Sequence, residues 1–266
     1  MTKSVQNDKD YGGYISDSWV PAPRFAMRRQ RVLNLLISYP KGKLLEIGPG
    51  AGSLMRDLAL EEFSCIGYET ATEARKIFQL MTEGMGNVQL TGRPSESWNA
   101  HFDYILSCEV LEHIEDDKAA LKSWVSYLKV GGLAIITVPS HSRKFGPSDE
   151  WAGHYRRYDK DVLISLIERS GLSIIHFETY GFPLANISSF VLKTLIKRSG
   201  LKQQQKDKRA ATAQSGVERT AEGKLYRFQT NLLGRSLMRI AFKTQYLFRN
   251  TELGDGFIVV AKKNAN

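Results

Sequence analysis

Residues 43–53 read KLLEIGPGAGS, and no other stretch of the chain restricts the fold so tightly. An apolar run (Leu44, Leu45, Ile47) leads into three glycines at alternate positions, Gly48, Gly50 and Gly52. The chain then reopens as a helix with Leu54, Leu58 and Ala59 on one side. A buried strand that breaks into a glycine turn and restarts as a helix lets a ligand lie against the backbone, because glycine accepts the tight turn and carries no side chain. The spacing is G-x-G-x-G, and Ser53 stands where a dinucleotide fingerprint would place its third glycine. Glu46 lies inside the strand just before the turn. Its carboxylate would repel a pyrophosphate and attract a ligand with a positive amino group.

Around this turn, strand-length apolar runs alternate with helical periodicity. Residues 24–38 predict a helix, with Phe25, Val32, Leu33, Leu36 and Ile37 on one face and Arg24, Arg28, Arg29 and Arg31 elsewhere. Strands follow at 65–69, 88–90, 101–107, 133–138, 172–180 and 256–262, with helices at 71–83, 116–128 and 159–170. Gly171 is a sound stop for the last of these helices. The alternation predicts an α/β fold: a Rossmann-like, seven-stranded, mostly parallel sheet with helices on both faces. The final two strands are about 70 residues apart, too far for a simple crossover, and predict a helical insertion. The expected organisation is an N-terminal arm and capping helix (1–42), a core (43–181 with 254–266) and a basic insertion (182–253). Residues 1–23 read as an irregular arm, and the Gln- and Lys-rich stretch 202–213 as a loop.

Charge is unevenly placed. Residues 185–250 hold 14 basic and 3 acidic side chains, against 23 basic and 25 acidic in the remainder. Residues 187–198 and 224–249 combine these charges with helical apolar spacing, and Arg235, Arg239 and Lys243 stand four residues apart. The pattern predicts a helical cap with a solvated basic face. Residues 187–249 are thereby expected to touch an anionic membrane or a phosphorylated, lipid-linked acceptor. Nucleic acid is a weaker expectation, since no recognised nucleic-acid module accompanies the charge. Two cysteines, Cys65 and Cys108, form neither a disulfide framework nor a metal cluster. With no apolar run of bilayer length and a polar N-terminus, the expected setting is the cytoplasm, peripheral to the inner face of the membrane where the basic segment makes contact.

Three motifs in order carry a resemblance to the class I S-adenosylmethionine-dependent methyltransferases. They are residues 44–52, residues 102–114 (FDYILSCEVLEHI) and residues 128–139 (LKVGGLAIITVP). The second is similar to the fourth-strand motif of the branch that includes ubiquinone-type O-methyltransferases. The run His154, Tyr155, Arg156, Arg157, Tyr158 also recurs among bacterial members of that branch. The resemblance implies S-adenosylmethionine as cofactor, with its methionine part held by Glu46, Gly48, Gly50 and Gly52. It implies that Glu69 accepts hydrogen bonds from the ribose hydroxyls, that Glu96 is the candidate adenine-contacting acid, and that Cys108 and Glu109 lie beside the cofactor.

The implied reaction is direct displacement, most simply at an acceptor oxygen, with His113 and His154 as candidate bases. His141, Tyr155, Arg156, Arg157 and Tyr158 are expected around the acceptor, the two arginines offering guanidinium forks to an anion. That acceptor is a small molecule or is carried on a glycan or lipid. No His, Asp or Cys spacing suggests a metal ion. Methylation at nitrogen is the alternative within the family. The rivals outside it are an NAD-dependent oxidoreductase, opposed by Ser53 and Glu46, and a non-catalytic cofactor-binding scaffold.

Overall fold

A computed structural model of the chain describes residues 4–16, 18–187, 226 and 228–265. A short antiparallel hairpin comes first, β1 (Val5–Asp8) with β2 (Gly12–Ile15). Seven further strands build one sheet: β3 (Lys43–Ile47), β4 (Ser64–Tyr68), β5 (Val88–Thr91), β6 (Phe102–Cys108), β7 (Leu128–Pro139), β8 (Leu172–Tyr180) and β9 (Gly256–Lys263). Their spatial order is β5-β4-β3-β6-β7-β9-β8. The pairings from β5 to β7 are parallel, and β9 enters antiparallel between β7 and β8. Gly256 pairs with both Pro139 and Tyr180, so β9 begins at the edge where β7 and β8 end.

The described helices are α1 (Pro23–Leu36), α2 (Ser53–Leu60), α3 (Thr72–Met81), α4 (Asp117–Tyr127), α5 (Pro147–Ala152), α6 (Lys160–Arg169) and α7 (Leu232–Phe248). Alternation along the strands divides the core into two layers. Leu45 and Ile47 of β3 meet Leu121 and Trp124 of α4 and Leu163 and Ile167 of α6. Leu44 faces the other way, toward Leu33 and Leu36 of α1, Leu54 and Leu58 of α2 and Phe78 of α3. Glu46 has the parity of Leu44 and is therefore directed to the α1 side of the sheet, 3% exposed.

The N-terminal residues depart from the irregular arm expected of them. Asp8 accepts hydrogen bonds from the backbone N–H groups of Asp10 and Tyr11, which turns the chain into the β1–β2 hairpin. Ile15 and Trp19 then pack on Ala51 and Met81, and Ser53 Oγ donates to the Gly13 carbonyl at 2.8 Å. The hairpin is thus fastened to the start of α2, directly after the glycine turn.

The basic helix departs as well. Helix α7 forms within the predicted span, but Leu232, Leu237, Ile240 and Leu247 are exposed, and Met238, Ala241 and Phe242 are buried against Tyr11, Ala26 and Met27. Arg235 pairs with Asp8 at 2.5 Å, and Arg239 with Asp10 at 3.2 Å. The acidic hairpin supplies a nearer counter-charge than solvent, so two of the three regularly spaced cations face protein. Of the helix expected over 187–198, all but Ile187 lies outside the described residues, as does 202–213. Among the described residues, no helix is long and apolar enough to cross a membrane.

Candidate active site

The carboxyl ends of β3, β4, β6, β7 and β8 and the start of β9 share one edge of the sheet, where an open α/β sheet presents its ligand crevice. Gly48, Gly50 and Gly52 all have left-handed φ, at 66°, 56° and 80°. A Cβ on Gly52 would strike the Phe78 ring at 2.5 Å, whereas one on Gly50 would meet nothing within 4 Å. The turn is therefore packed on its protein side and open on the other. Glu69 braces it from the end of β4, accepting the Gly50 N–H at 3.1 Å and the Ala71 N–H at 2.8 Å. Burial pushes the Glu46 carboxyl up to about 8, more than the nearby Arg28 charge can offset. Its Oε2 is buried without a hydrogen-bond partner among the described residues.

At the end of β6 the backbone turns sharply, with Glu109 in the left-handed region at φ 58°. Glu109 binds Arg24 at 2.8 Å, and Arg24 also lies 3.5 Å from Asp255 at the start of β9. Burial alone would raise the Glu109 carboxyl, but the charges of Arg24 and Arg28 outweigh it and hold the group below the ordinary glutamate range. Glu112, three residues on, has the opposite fate. Its side chain is fully buried, and burial together with the Glu109 charge lifts its pKa well above the usual value.

Two histidines from distant segments meet at Glu112. His113 and His154 stack edge to face with ring centroids 4.6 Å apart, and their Nε2 atoms lie 4.0 and 3.9 Å from Glu112 Oε1. Burial and the neighbouring His154 push the His113 ring down to about 3, so it is neutral at physiological pH. His154 is held from behind by Asp149, whose Oδ1 lies 3.0 Å from Nδ1. The segment bearing His154 is pinned to the turn after β6 and to β7 by the Tyr155 N–H on the Glu112 carbonyl, at 2.8 Å, and the Tyr158 N–H on the Pro139 carbonyl, at 3.0 Å.

Comparison with known proteins gives the family. A family model described as a methyltransferase domain matches residues 23–177, more than half of the chain. The chain belongs to this methyltransferase family. A ubiquinone biosynthesis O-methyltransferase of Cereibacter sphaeroides is 29% identical over 125 residues, covering 46% of this chain and 51% of that protein. One from Paramagnetospirillum magneticum is 30% identical over 112 residues, covering 41% and 45%. The chain thus spans about half the length of the curated relatives it matches.

Among solved structures, a putative sarcosine dimethylglycine methyltransferase from Galdieria sulphuraria aligns at TM-score 0.56 and 16% identity, covering 90% of this chain and 87% of that one. The [4+2]-cyclase SpnF aligns at 0.58 and 15% identity, covering 97% and 88%. These likenesses are of fold, and the presence of a cyclase among them shows that the fold alone does not set the chemistry.

S-adenosylmethionine is the cofactor of this methyltransferase, and the described residues fit it. The open side of Gly50 leaves room against the backbone, and buried Glu46 has one oxygen without a partner among the described residues, which an N–H donor of the cofactor would satisfy. Glu69 stands at the adjoining strand end, 9% exposed. Glu96 is exposed in a single turn beyond β5, where its neighbour Trp98 packs inward. Cys108 lines the same edge as a small buried filler, its thiol pushed up to about 12 by burial.

On the acceptor side, the polar run 154–158 is largely turned into the protein. Arg157 is buried between Asp149, at 2.7 Å, and Asp255, at 3.2 Å, so its guanidinium is occupied internally and not offered to an anion. Arg156 spans to Asp117 at 2.7 Å and to the Glu115 carbonyl at 2.6 Å. Tyr158 is 1% exposed and donates to Asp117 at 2.9 Å, and Tyr155 is half-buried beside Glu112. His141 lies at a bend with φ 63°, its Nε2 2.7 Å from the Glu252 carbonyl and its ring against Phe257. It braces the loop before β9 and is not part of the His113–His154 group.

Sequence reasoning misses Arg24, Arg28, Glu112, Asp149 and Asp255. Arg24 and Arg28 are one helical turn apart, which is a readable signal that both leave α1 on the same side. The spacing of Glu109 and Glu112 carries a similar hint, because it sets two acids on either side of an apolar pair.

Proposed function

We propose that this protein transfers the methyl group of S-adenosylmethionine to an oxygen of a small-molecule acceptor. The observation that carries the reading is the convergence of His113, His154 and Glu112 at the β6 end, on the edge that also carries the glycine turn. An amine can attack as its free base, whereas a hydroxyl benefits from a group that takes its proton; His154, oriented by Asp149 at 3.0 Å, is placed for that role, whereas burial leaves His113 too weak a base. The similarity to O-methyltransferases of ubiquinone biosynthesis supports the same choice.

S-adenosylmethionine supplies an already activated sulfonium methyl. The chain's contribution is chiefly alignment: the glycine turn and Glu69 fix one end, and the β6 turn with Arg24 fixes the other. Holding reactants in line can supply about 7–11 kcal/mol, and a base at the acceptor proton a further factor of roughly 10² to 10⁴.

The test is product analysis by mass spectrometry, using labelled S-adenosylmethionine with paired phenol and amine acceptors. O-methyl products matched by S-adenosylhomocysteine support the proposal. Label found only on nitrogen would replace it with the N-methyltransferase reading.

A further inference from the structure

One face of the sheet is left partly uncovered by the chain's own connections. Helices α2, α3 and α4 each fill a crossover between successive strands, but residues 92–101, between β5 and β6, form only a single 3₁₀ turn at Glu96–Trp98. The Trp98 ring stands in for a helix on the α4 side, packing on Tyr68, Phe102 and Tyr127 at centroid distances of 6.1, 5.6 and 5.5 Å. Tyr68 is the last residue of β4, so the ring covers the carboxyl half of that strand and leaves the amino half open. The register sets Lys43 beside Ser64 and Ile66 beside Gln89, all on this face. With His101 and Phe102 they line a hollow of about 240 Å³ at the amino end of the sheet, opposite the edge that carries the glycine turn.

Charge in this hollow is unbalanced. Lys43 Nζ lies 3.3 Å from His101 Nε2, so an ammonium meets an imidazole and not a carboxylate. Asp103 is close by, but its Oδ2 accepts the Lys43 backbone N–H at 2.9 Å and its Oδ1 binds Lys129 at 2.6 Å. Among the described residues Lys43 therefore makes no ion pair. His101 is held by its backbone N–H on the Tyr127 carbonyl, at 2.9 Å, and by its ring against Phe102. With one ammonium hydrogen on His101, two donors of Lys43 remain for a ligand. Ser64 adds a hydroxyl, Gln89 an amide and Ile66 an apolar patch. The volume lies below the roughly 300–1,000 Å³ of drug-sized sites, which sets the ligand as a small one. We infer that this hollow binds a small organic anion, its carboxylate or phosphate oxygens on Lys43 and Ser64 and its body across Ile66. Charge-assisted hydrogen bonds from Lys43 give such a group its hold. The site shares β3 with the cofactor turn but lies at the strand's other end, so it is separate from the cofactor crevice and independent of which atom the enzyme methylates.

The full-length protein, isotope-labelled for amide NMR, is titrated with phenyl phosphate and with benzoate. Inorganic phosphate tests the head group alone, and benzyl alcohol the body without its charge. The expected result is a set of saturable shifts at residues 43, 64–66, 86–89 and 101 for one or both aryl anions, and the anion that binds more tightly assigns the head group. Lys43→Gln removes the charge and Ser64→Phe fills the hollow. Each is expected to weaken binding about 10-fold or more, the scale of a hydrogen bond to a charged group. Thermal melts matching the wild type show that both variants fold. Neither anion giving saturable shifts at millimolar concentration overturns the inference. So does binding of benzyl alcohol as tight as that of the anions, unchanged affinity in Lys43→Gln, or shifts centred on Arg75 and Arg93 at the other end of the sheet.

Discussion

Arg31 of α1 grips Glu178 of β8 through two parallel hydrogen bonds, each 2.8 Å, with both side chains withdrawn from solvent. This pair ties the helix that carries Arg24 and Arg28 to the far edge of the sheet. Burial would raise the Glu178 carboxyl, but its bonds to His176 and Arg31 prevail and hold it below the ordinary value of 4.5. A carboxylate depressed in the folded state stabilises the fold at pH above its unfolded value, and that contribution is lost as pH falls through the folded one. Glu178→Gln leaves a buried arginine uncompensated and is expected to cost about 3–5 kcal/mol at pH 7. Urea unfolding of both proteins checks this, and the difference between them should shrink below pH 4.5 as wild-type Glu178 takes up its proton.

Glu69 serves two masters. It accepts two backbone N–H groups, and the family resemblance gives it the ribose hydroxyls as well. Glu69→Ala is expected to weaken binding of both S-adenosylmethionine and S-adenosylhomocysteine by about 1.5–3 kcal/mol, the usual worth of hydrogen bonds to a charged group. Calorimetry with each compound measures it. An equal loss for the two is required, because the ribose is common to both and the methyl is not.

Gly50 and Gly52 are two residues apart and predict opposite failures. Alanine at either meets a left-handed backbone, a strain of about 1–2 kcal/mol. At Gly52 the new methyl also strikes Phe78, so Gly52→Ala should lower the melting temperature clearly more than Gly50→Ala. At Gly50 the methyl projects into the open side of the turn, so Gly50→Ala should spare most of the stability and lose most of the cofactor affinity. Thermal melts with and without S-adenosylmethionine read both effects.

The glycine turn and the strand ends are legible in the sequence because they are local. A period of two and a run of alternate glycines suffice to place Gly48, Gly50, Gly52 and Glu69 on one edge. Arg157 is not legible in that way: its charge is visible, but its partners lie eight residues before it and 98 after it. A charged residue in a polar run therefore looks available for an anion when it is already paired. Glu112 and His154 meet only because the 153–158 segment folds back on the turn after β6 and on the end of β7, a contact that no spacing announces. The β1–β2 hairpin is hidden for another reason, since its two four-residue strands are too short and too polar to show alternation.

Both cysteines should be inert. Burial pushes the thiols of Cys65 and Cys108 up to about 12, in each case with the nearby Glu46 adding to the shift. About one thiol in ten thousand is then ionised at pH 8, and the thiolate is the reactive form. Iodoacetamide at pH 8 should leave both unmodified in the folded protein and alkylate both in urea, as mass spectrometry will show. Rapid labelling of Cys108 alone would mark the β6 end as open to solvent.

Arg235 closes the protein's N-terminal hairpin onto α7, donating to both carboxylate oxygens of Asp8 at 3.2 and 2.5 Å. Burial opposes ionisation of Asp8, but the arginine and two backbone bonds hold its carboxyl below 3.8. The guanidinium is partly exposed, so solvent screens the pair, and Arg235→Ala is expected to cost only about 0.5–1 kcal/mol globally. Its local effect should be larger. The hairpin is also held by Arg239 on Asp10, by the Tyr11 hydroxyl on the Gln229 carbonyl and by Ser53 on the Gly13 carbonyl, so the variant loosens the Asp8 corner while these anchors remain. Limited proteolysis should therefore cut the variant within the first 22 residues faster than the wild type, and bound S-adenosylmethionine should slow that cleavage if the hairpin covers the cofactor. Added salt should narrow the gap between the two proteins, because it weakens an exposed ion pair and leaves the Ile15 and Trp19 contacts intact.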